Sequence, residues 1–184
     1  MPYSVTATAL PEVLVLAPKV FGDARGFFYE SYNRRDFAKA TGLDVEFVQD
    51  NHSRSAKGVL SGIHYQLVKP QGKLVRVVAG AVWDVAVDLR RNSPSFGKWA
   101  GVELSADNRR QLWVPPGFGH AFLTLSEHAE FLYKTTDYWY PEHERSIAWN
   151  DPEMGVAWPL AGALPSLANK DARAPSLRDA VVYE

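Results

Sequence analysis

One imidazole inside a strand-like run, followed by scattered cations, a phenol and a carboxylate, is a set suited to proton transfer next to a carbonyl. The run is Val59-Leu60-Ser61-Gly62-Ile63-His64-Tyr65-Gln66. After it come Gln71-Gly72-Lys73, Pro115-Pro116-Gly117-Phe118-Gly119-His120, Tyr133 and Asn169-Lys170-Asp171. Imidazole titrates near neutral pH, as a general base requires. Side chains alternate along a strand, so positions 62, 64 and 66 should share one face and 61, 63 and 65 the other. Gly62 leaves room on the histidine's face, so His64 is expected to project into a cavity. A lone strand histidine is otherwise more often structural, Tyr133 by itself reads as core, and Asp171 as a helix-start or loop carboxylate. Lys73 and Arg76 lie three apart on one strand and should face opposite sides. An ammonium turned inward needs a partner or an anionic ligand.

The elements that would position these groups are short and mostly β. Val13-Leu14-Val15-Leu16 reads as a first strand, and Phe27 to Tyr32 as a second after the turn Phe21 to Gly26. Asn33 is expected to cap a helix, with Asp36 three residues later and Gly42 as the stop. Phe47 to Asn51 resumes β structure. Lys73 to Ala79, Gly80 and Ala81 to Leu89 read as a valine-rich hairpin. Trp99 to Leu104, Arg110 to Val114, Ala121 to Leu125 and Glu130 to Thr136 are further strands. Beyond Pro141 the pattern loosens, and the tail is expected to wrap the body. Many short strands separated by Gly, Pro and Asn turns predict an all-β sandwich or barrel with a few short helices.

With 184 residues, 46% of them hydrophobic, the chain can bury a substantial core and reads as one domain over 1–184. The formal net charge of −1 favours neither nucleic acid nor membrane. There is no cysteine, hence no disulfide, thiolate nucleophile or sulfur metal site, which fits a cytoplasmic protein. Met1-Pro2-Tyr3-Ser4 shows no basic region followed by an apolar run, so no signal peptide is expected, and no apolar run approaches the roughly 18 residues of a membrane span. Neither a dinucleotide-binding glycine fingerprint nor a P-loop is present.

Pro115-x-Gly117-x-x-His120, set between apolar strands, resembles the second motif of cupins, which are small jelly-roll barrels. Cupins commonly hold a metal through a His-x-His pair in their first motif. The matching place here is His64-Tyr65-Gln66. A neutral amide oxygen is a weak ligand for transition metals, so no metal is expected.

Over nearly its whole length the sequence resembles the deoxythymidine-diphosphate-4-keto-6-deoxyglucose 3,5-epimerases of the rhamnose pathway. The resemblance rests on Pro18 to Tyr32, Phe47-Val48-Gln49-Asp50-Asn51-His52-Ser53, Gly62 to Gln66, Gln71 to Arg76, Trp83 to Asp88, Phe131-Leu132-Tyr133-Lys134 and Ala148-Trp149-Asn150-Asp151, in this order and spacing. It implies a cupin-like jelly roll, a homodimer, no metal or organic cofactor, and a deoxythymidine-diphosphate 4-keto-6-deoxy sugar as substrate. It also implies that His64 is the base, oriented by Asp171, and Tyr133 the acid. Lys73 and His120 would face the keto and hydroxyl oxygens. Arg25, Glu30, Gln49, Asp50, Asn51, Ser61, Glu144 and Lys170 fall where the family binds the nucleotide sugar, and Tyr138 matches an aromatic near the nucleotide.

One position departs. The family usually has arginine three residues before the catalytic histidine, where this chain has Ser61. Serine offers one neutral hydrogen bond in place of a charged fork suited to phosphate. Arg54, Lys57 and Lys69 are the nearby cations that would compensate. Three other readings stay open: an epimerase acting at one carbon or on a related 4-keto sugar, a non-catalytic sugar-nucleotide-binding cupin, and a metal-dependent oxygenase, against which Gln66 speaks.

Overall fold

The computed structural model describes residues 3–184; Met1 and Pro2, part of the stretch read for a leader, lie outside them. In chain order the elements are β1 (Tyr3–Ala7), β2 (Leu14–Pro18), β3 (Phe21–Asp23), β4 (Gly26–Phe28), α1 (Arg34–Thr41), β5 (Gln49–Ala56), β6 (Val59–Gln66), β7 (Lys73–Ala79) and β8 (Ala81–Asp88). They continue with β9 (Trp99–Ser105), β10 (Gln111–Val114), β11 (Phe118–Thr124), β12 (His128–Thr135), a 3₁₀ turn at Pro141–His143, β13 (Glu144–Ser146), β14 (Ser166–Leu167) and α2 (Asn169–Ala172). Two sheets face each other, in the orders β1-β2-β10-β7-β12-β5 and β13-β6-β11-β8-β9, with β14 parallel to β6. This is the all-β sandwich that the strand pattern predicted, in the cupin-like jelly-roll form that the family resemblance implied.

Three differences from the sequence reading have local causes. The run 73–89 is not a hairpin: β7 pairs with β10 and β12, whereas β8 pairs with β9 and β11. Gly80 carries the chain from one sheet to the other at φ +71°, and a Cβ there would lie 2.0 Å from the His128 carbonyl oxygen. The second strand ends at Phe28, because Tyr32 turns into an aromatic cluster with Phe37 and Phe47. The first strand is β1, whose Tyr3-Ser4-Val5-Thr6-Ala7 pairs antiparallel with β2.

The core between the sheets joins Val75, Val77, Leu112 and Phe131 of the first to Val82, Ala86, Leu104 and Phe122 of the second. The helix α1 is capped as expected: the Asn33 side chain accepts from Asp36 N–H, and Gly42 closes it in the left-handed region. It lays Phe37 on the outer face of the first sheet, against Trp113 and Leu74. Burying that ring fully contributes about 1.5–3 kcal/mol. On the back of the second sheet, Ile147, Met154, Leu177 and Val182 of the tail cover Ile63, Val85 and Val87. That wrap brings α2 behind β6.

Candidate active site

Where β6 and β11 pair, His64 stands opposite His120, but Ser61 stands opposite Phe122. Two residues of β11 thus span three of β6, which is a bulge. It breaks the strict alternation expected for this strand, so Ser61 and His64 both line one cavity of about 310 Å³. The glycine in the bulge is there for closeness rather than for room. Gly62 has φ +117°, and a Cβ would lie 2.6 Å from both the Ala121 Cβ and the His120 carbonyl oxygen. Its N–H donates to Asp171 Oδ2 at 3.3 Å. Gly62→Ala is therefore expected to lower stability by about 1–3 kcal/mol through overpacking. Activity should fall further than stability accounts for, since both partners of the bulge shift; calorimetry and turnover on one preparation check this.

Asp171 is only 3% exposed, and its Oδ1 lies 2.6 Å from His64 Nε2. Burial by itself would raise this carboxyl. The His64 hydrogen bond and charge, the Gly62 N–H and Lys170 outweigh it and hold the group below the ordinary carboxylate range. A carboxylate in that position fixes the ring's orientation and stabilises the imidazolium, while the second ring nitrogen is left for the cavity.

A second histidine–carboxylate pair lies alongside. His120 Nε2 is 2.9 and 3.1 Å from the two oxygens of Asp84, which has no solvent exposure. His120 belongs to β11, which begins at Phe118, three residues earlier than the strand read from Ala121. Across the cavity, on the first sheet, stand Lys73 of β7 and Tyr133 of β12. Burial pushes the Lys73 ammonium down to about 8, with Lys170 acting the same way against the pull of Glu144 and Asp84. Burial, aided by Glu144, pushes the Tyr133 phenol up. Arg76 faces the opposite side of β7, near the Tyr29 hydroxyl, as the spacing predicted.

Of the residues named from the sequence, Gln49, Asn51, Ser61, His64, Lys73, His120, Tyr133 and Glu144 line the cavity, and Asp171 backs it. Lys170 sits at its edge, paired with Glu144 at 2.9 Å. Others lie elsewhere. Asp50 alternates to the outer face of β5 and pairs with Lys134 at 2.8 Å. Arg25 is on the exposed β3–β4 hairpin, paired with Asp23, and Glu30 follows that hairpin; neither lines the cavity. Tyr138 is exposed and does not line it, whereas the next residue, Trp139, does. None of the cations near Ser61 reaches in: Arg54 points outward, Lys57 faces Glu127, and Lys69 bonds the Tyr140 hydroxyl.

Sequence reasoning missed Phe122, Phe131, Thr135 and Trp139. Two of these carried a signal, because Phe131 and Thr135 flank Tyr133 at the period of a strand. Phe131 stacks on Phe122 at 4.7 Å and gives the cavity an apolar patch. Among the described residues no group of three or more His, Asp or Glu side chains is arranged to hold a metal. The site can therefore remove and return a proton on a carbon placed between the two sheets, with cations beside any oxyanion that forms.

Comparison with known proteins agrees with this chemistry. The family model for dTDP-4-dehydrorhamnose 3,5-epimerase matches residues 7–179. A dTDP-4-dehydrorhamnose 3,5-epimerase from Pseudomonas aeruginosa is 61% identical over 175 residues, covering 95% of this chain and 96% of the relative. Its counterpart from Salmonella typhimurium is 58% identical over 181 residues, covering 98% of each. Among solved structures, a dTDP-6-deoxy-D-glucose-3,5-epimerase from Legionella pneumophila in complex with dTDP-4-keto-L-rhamnose superposes with a TM-score of 0.94. It is 50% identical and the match covers 97% of this chain and 95% of that one. With the fold and nearly the full length in agreement, this chain belongs to the dTDP-4-dehydrorhamnose 3,5-epimerase family.

Proposed function

We propose that His64, Asp171, Tyr133 and Lys73 carry out the reaction of this epimerase, inversion of C3 and C5 of dTDP-4-keto-6-deoxyglucose to give dTDP-4-keto-rhamnose. Both carbons flank the C4 ketone. Loss of a proton from either leaves a carbanion delocalised onto O4 as an enolate. His64 takes that proton and becomes an imidazolium held by Asp171. Lys73 and His120 stabilise the enolate oxygen, and Tyr133 delivers a proton to the opposite face of the ring. The phenolate then regains a proton from solvent and His64 releases its own, so the cycle closes without an added redox group. The observation that carries this reading is the 2.6 Å His64–Asp171 contact on one wall of a cavity whose facing wall bears Tyr133.

Remote contacts hold the ring in register for two successive inversions. Gln49, Asn51, Glu144 and Lys170 are positioned for the sugar and diphosphate, and Trp139 for the thymine. Arg25 and Glu30 do not line their own chain's cavity. The hairpin that carries Arg25 exposes Phe21, Phe27 and Phe28. This arrangement suits a homodimer in which each hairpin serves the other copy's cavity, and analytical ultracentrifugation checks the mass. No helix among the described residues is long and apolar enough to cross a membrane. The same reading puts the enzyme in the cytoplasm with its nucleotide-sugar substrate, which cell fractionation checks.

The deciding experiment is proton NMR of dTDP-4-keto-6-deoxyglucose with enzyme in deuterated water, with a 4-keto-reductase drawing off product. Exchange at both C3 and C5, with formation of the rhamnose nucleotide, is expected. Exchange at one carbon would make it a single-site epimerase, and exchange at neither would leave only binding.

Ser61 bears on affinity rather than chemistry. With none of Arg54, Lys57 and Lys69 lining the cavity, Ser61→Arg is expected to add a charge-assisted contact to the diphosphate. Such a contact contributes about 1.5–3 kcal/mol. This corresponds to a KM roughly tenfold to a hundredfold lower with kcat little changed. Steady-state kinetics on the two proteins reads it directly.

A further inference from the structure

Gln66 occupies the place where a metal-binding cupin has its second histidine, and its amide is fully engaged in other work. The side chain is 3% exposed at the end of β6. Its Nε2 donates to the carbonyl oxygens of Lys69 at 2.7 Å and Tyr138 at 3.1 Å, and its Oε1 accepts from Tyr140 N–H at 2.8 Å. Its own backbone carbonyl accepts the Tyr183 hydroxyl at 2.7 Å. One buried amide thus grips the chain on both sides of Trp139.

The segment from Asp137 to Tyr140 lies in neither helix nor strand, so its backbone groups need partners from elsewhere. Side chains supply them. Gln71 and Thr135 donate to the Asp137 carbonyl at 2.9 and 2.8 Å, and Gln49 accepts from Trp139 N–H at 3.0 Å. Among these, Gln66 alone bonds both neighbours of Trp139, so it holds the chain before and after the residue that Gln49 meets directly. The indole is 54% exposed yet lines the cavity, so a broad apolar face stands at the mouth. A planar aromatic held at the edge of a polar cavity suits stacking against a nucleobase.

We infer that Gln66 is a positioning residue for nucleotide binding: its amide clamps the 138–140 backbone so that Trp139 is presented, pre-set, to the base of the substrate. This rests on the reading of the substrate as a thymidine nucleotide. Gln66 touches no reacting atom, and its effect passes through Trp139. Glutamine is the residue that fits, because the clamp needs two donated bonds and one accepted bond from a single uncharged group. Methionine would match the volume and lose all three; glutamate would keep the accepted bond and lose both donated ones.

The test is a double-mutant cycle read by binding of deoxythymidine diphosphate in calorimetry, with kcat and KM followed alongside. Removing a base-stacking aromatic weakens binding by about tenfold to a hundredfold, which sets the scale for Trp139→Ala. Gln66→Met is expected to weaken binding about tenfold and raise KM in step, with kcat within about twofold, as for a lost ground-state contact. In the Trp139→Ala background the same change should cost less than about twofold, since coupled residues are not additive. If the two losses instead multiply, Gln66 does not act through Trp139 and the inference is overturned. Should Gln66→Met fail to fold, Gln66→Glu runs the same cycle with the same criterion. No binding of deoxythymidine diphosphate by the unaltered enzyme would strike the nucleotide reading itself, a result distinct from multiplying losses.

Discussion

Replacing His64 with asparagine is expected to lower turnover by about 10²–10⁴-fold, the usual contribution of a positioned general base. Exchange into solvent should be lost at C3 and C5 together, because one base serves both carbons beside one ketone. Asparagine keeps a donor for Asp171, so the wall of the cavity should persist and deoxythymidine diphosphate should still bind. Asp171→Asn should fall in the same range for a different reason. Its amide can still meet His64 and the Gly62 N–H, but it no longer stabilises the imidazolium. NMR-monitored exchange separates the outcomes: if C5 exchange survived in His64→Asn while C3 exchange vanished, a second base would be at work. His120, already paired with buried Asp84, would then be the residue to examine.

Lys73→Met is expected to cost about 10²–10³-fold in kcat, as for loss of a fixed oxyanion partner. The lysine also predicts two opposite responses to alkali. Its folded-state value near 8 lies below the 10.5 of a free side chain. Above about pH 8 the cation is lost from the cavity, so kcat/KM should decline, while Tyr133, pushed upward, stays protonated through that range. For stability the sign is reversed. Between pH 8 and 10.5 the unfolded chain holds more protons at this site than the folded one, and stability rises with pH wherever that is so. The Lys73→Met protein should accordingly be more stable than the unaltered enzyme at pH 7, with a gap that narrows toward pH 10. Lys73→Arg, which stays charged, should lack the alkaline decline. Thermal melts and rate profiles on the three proteins decide it; a constant stability gap between pH 7 and 10 would show that Lys73 does not titrate in this window.

How much of this was legible in the sequence depended on periodicity. Regular strands could be read. In β5, Gln49 and Asn51 alternate inward and Asp50 outward; the rule that selects the first two rejects the third, which only the family resemblance had put in the site. In β12 the same rule extends Tyr133 to Phe131 and Thr135. The bulge in β6 could not be read this way, because one extra residue resets the faces and places Ser61 beside His64. The step from β7 to β8 was equally hidden. A valine-rich pair of strands joined by one glycine looks the same whether it folds back on itself or crosses between sheets. Only the partners, β10 and β12 against β9 and β11, decide it. Trp139 was missed for Tyr138 because a turn has no period, and hydrogen bonds from glutamines far away in the chain determine which ring faces the cavity. The pairing of His64 with Asp171 came from resemblance alone; nothing local to either residue points to the other.

Because Gly80 sends the chain across to the opposite sheet, consecutive strands here seldom form local pairs. β6 waits for β11, and β7 for β10 and β12. Such pairings incur loop-closure entropy before any contact repays it, which puts the fold in the slow class of millisecond-to-second folders. The dyad is one such case, with His64 and its carboxylate 107 positions apart in the chain. During synthesis the base is therefore made long before it has a partner, and the emerging chain has an imidazole without an orienting group until α2 has been translated and docked. Catalytic competence arrives late, as the end state of assembly rather than as a property of any early folding unit.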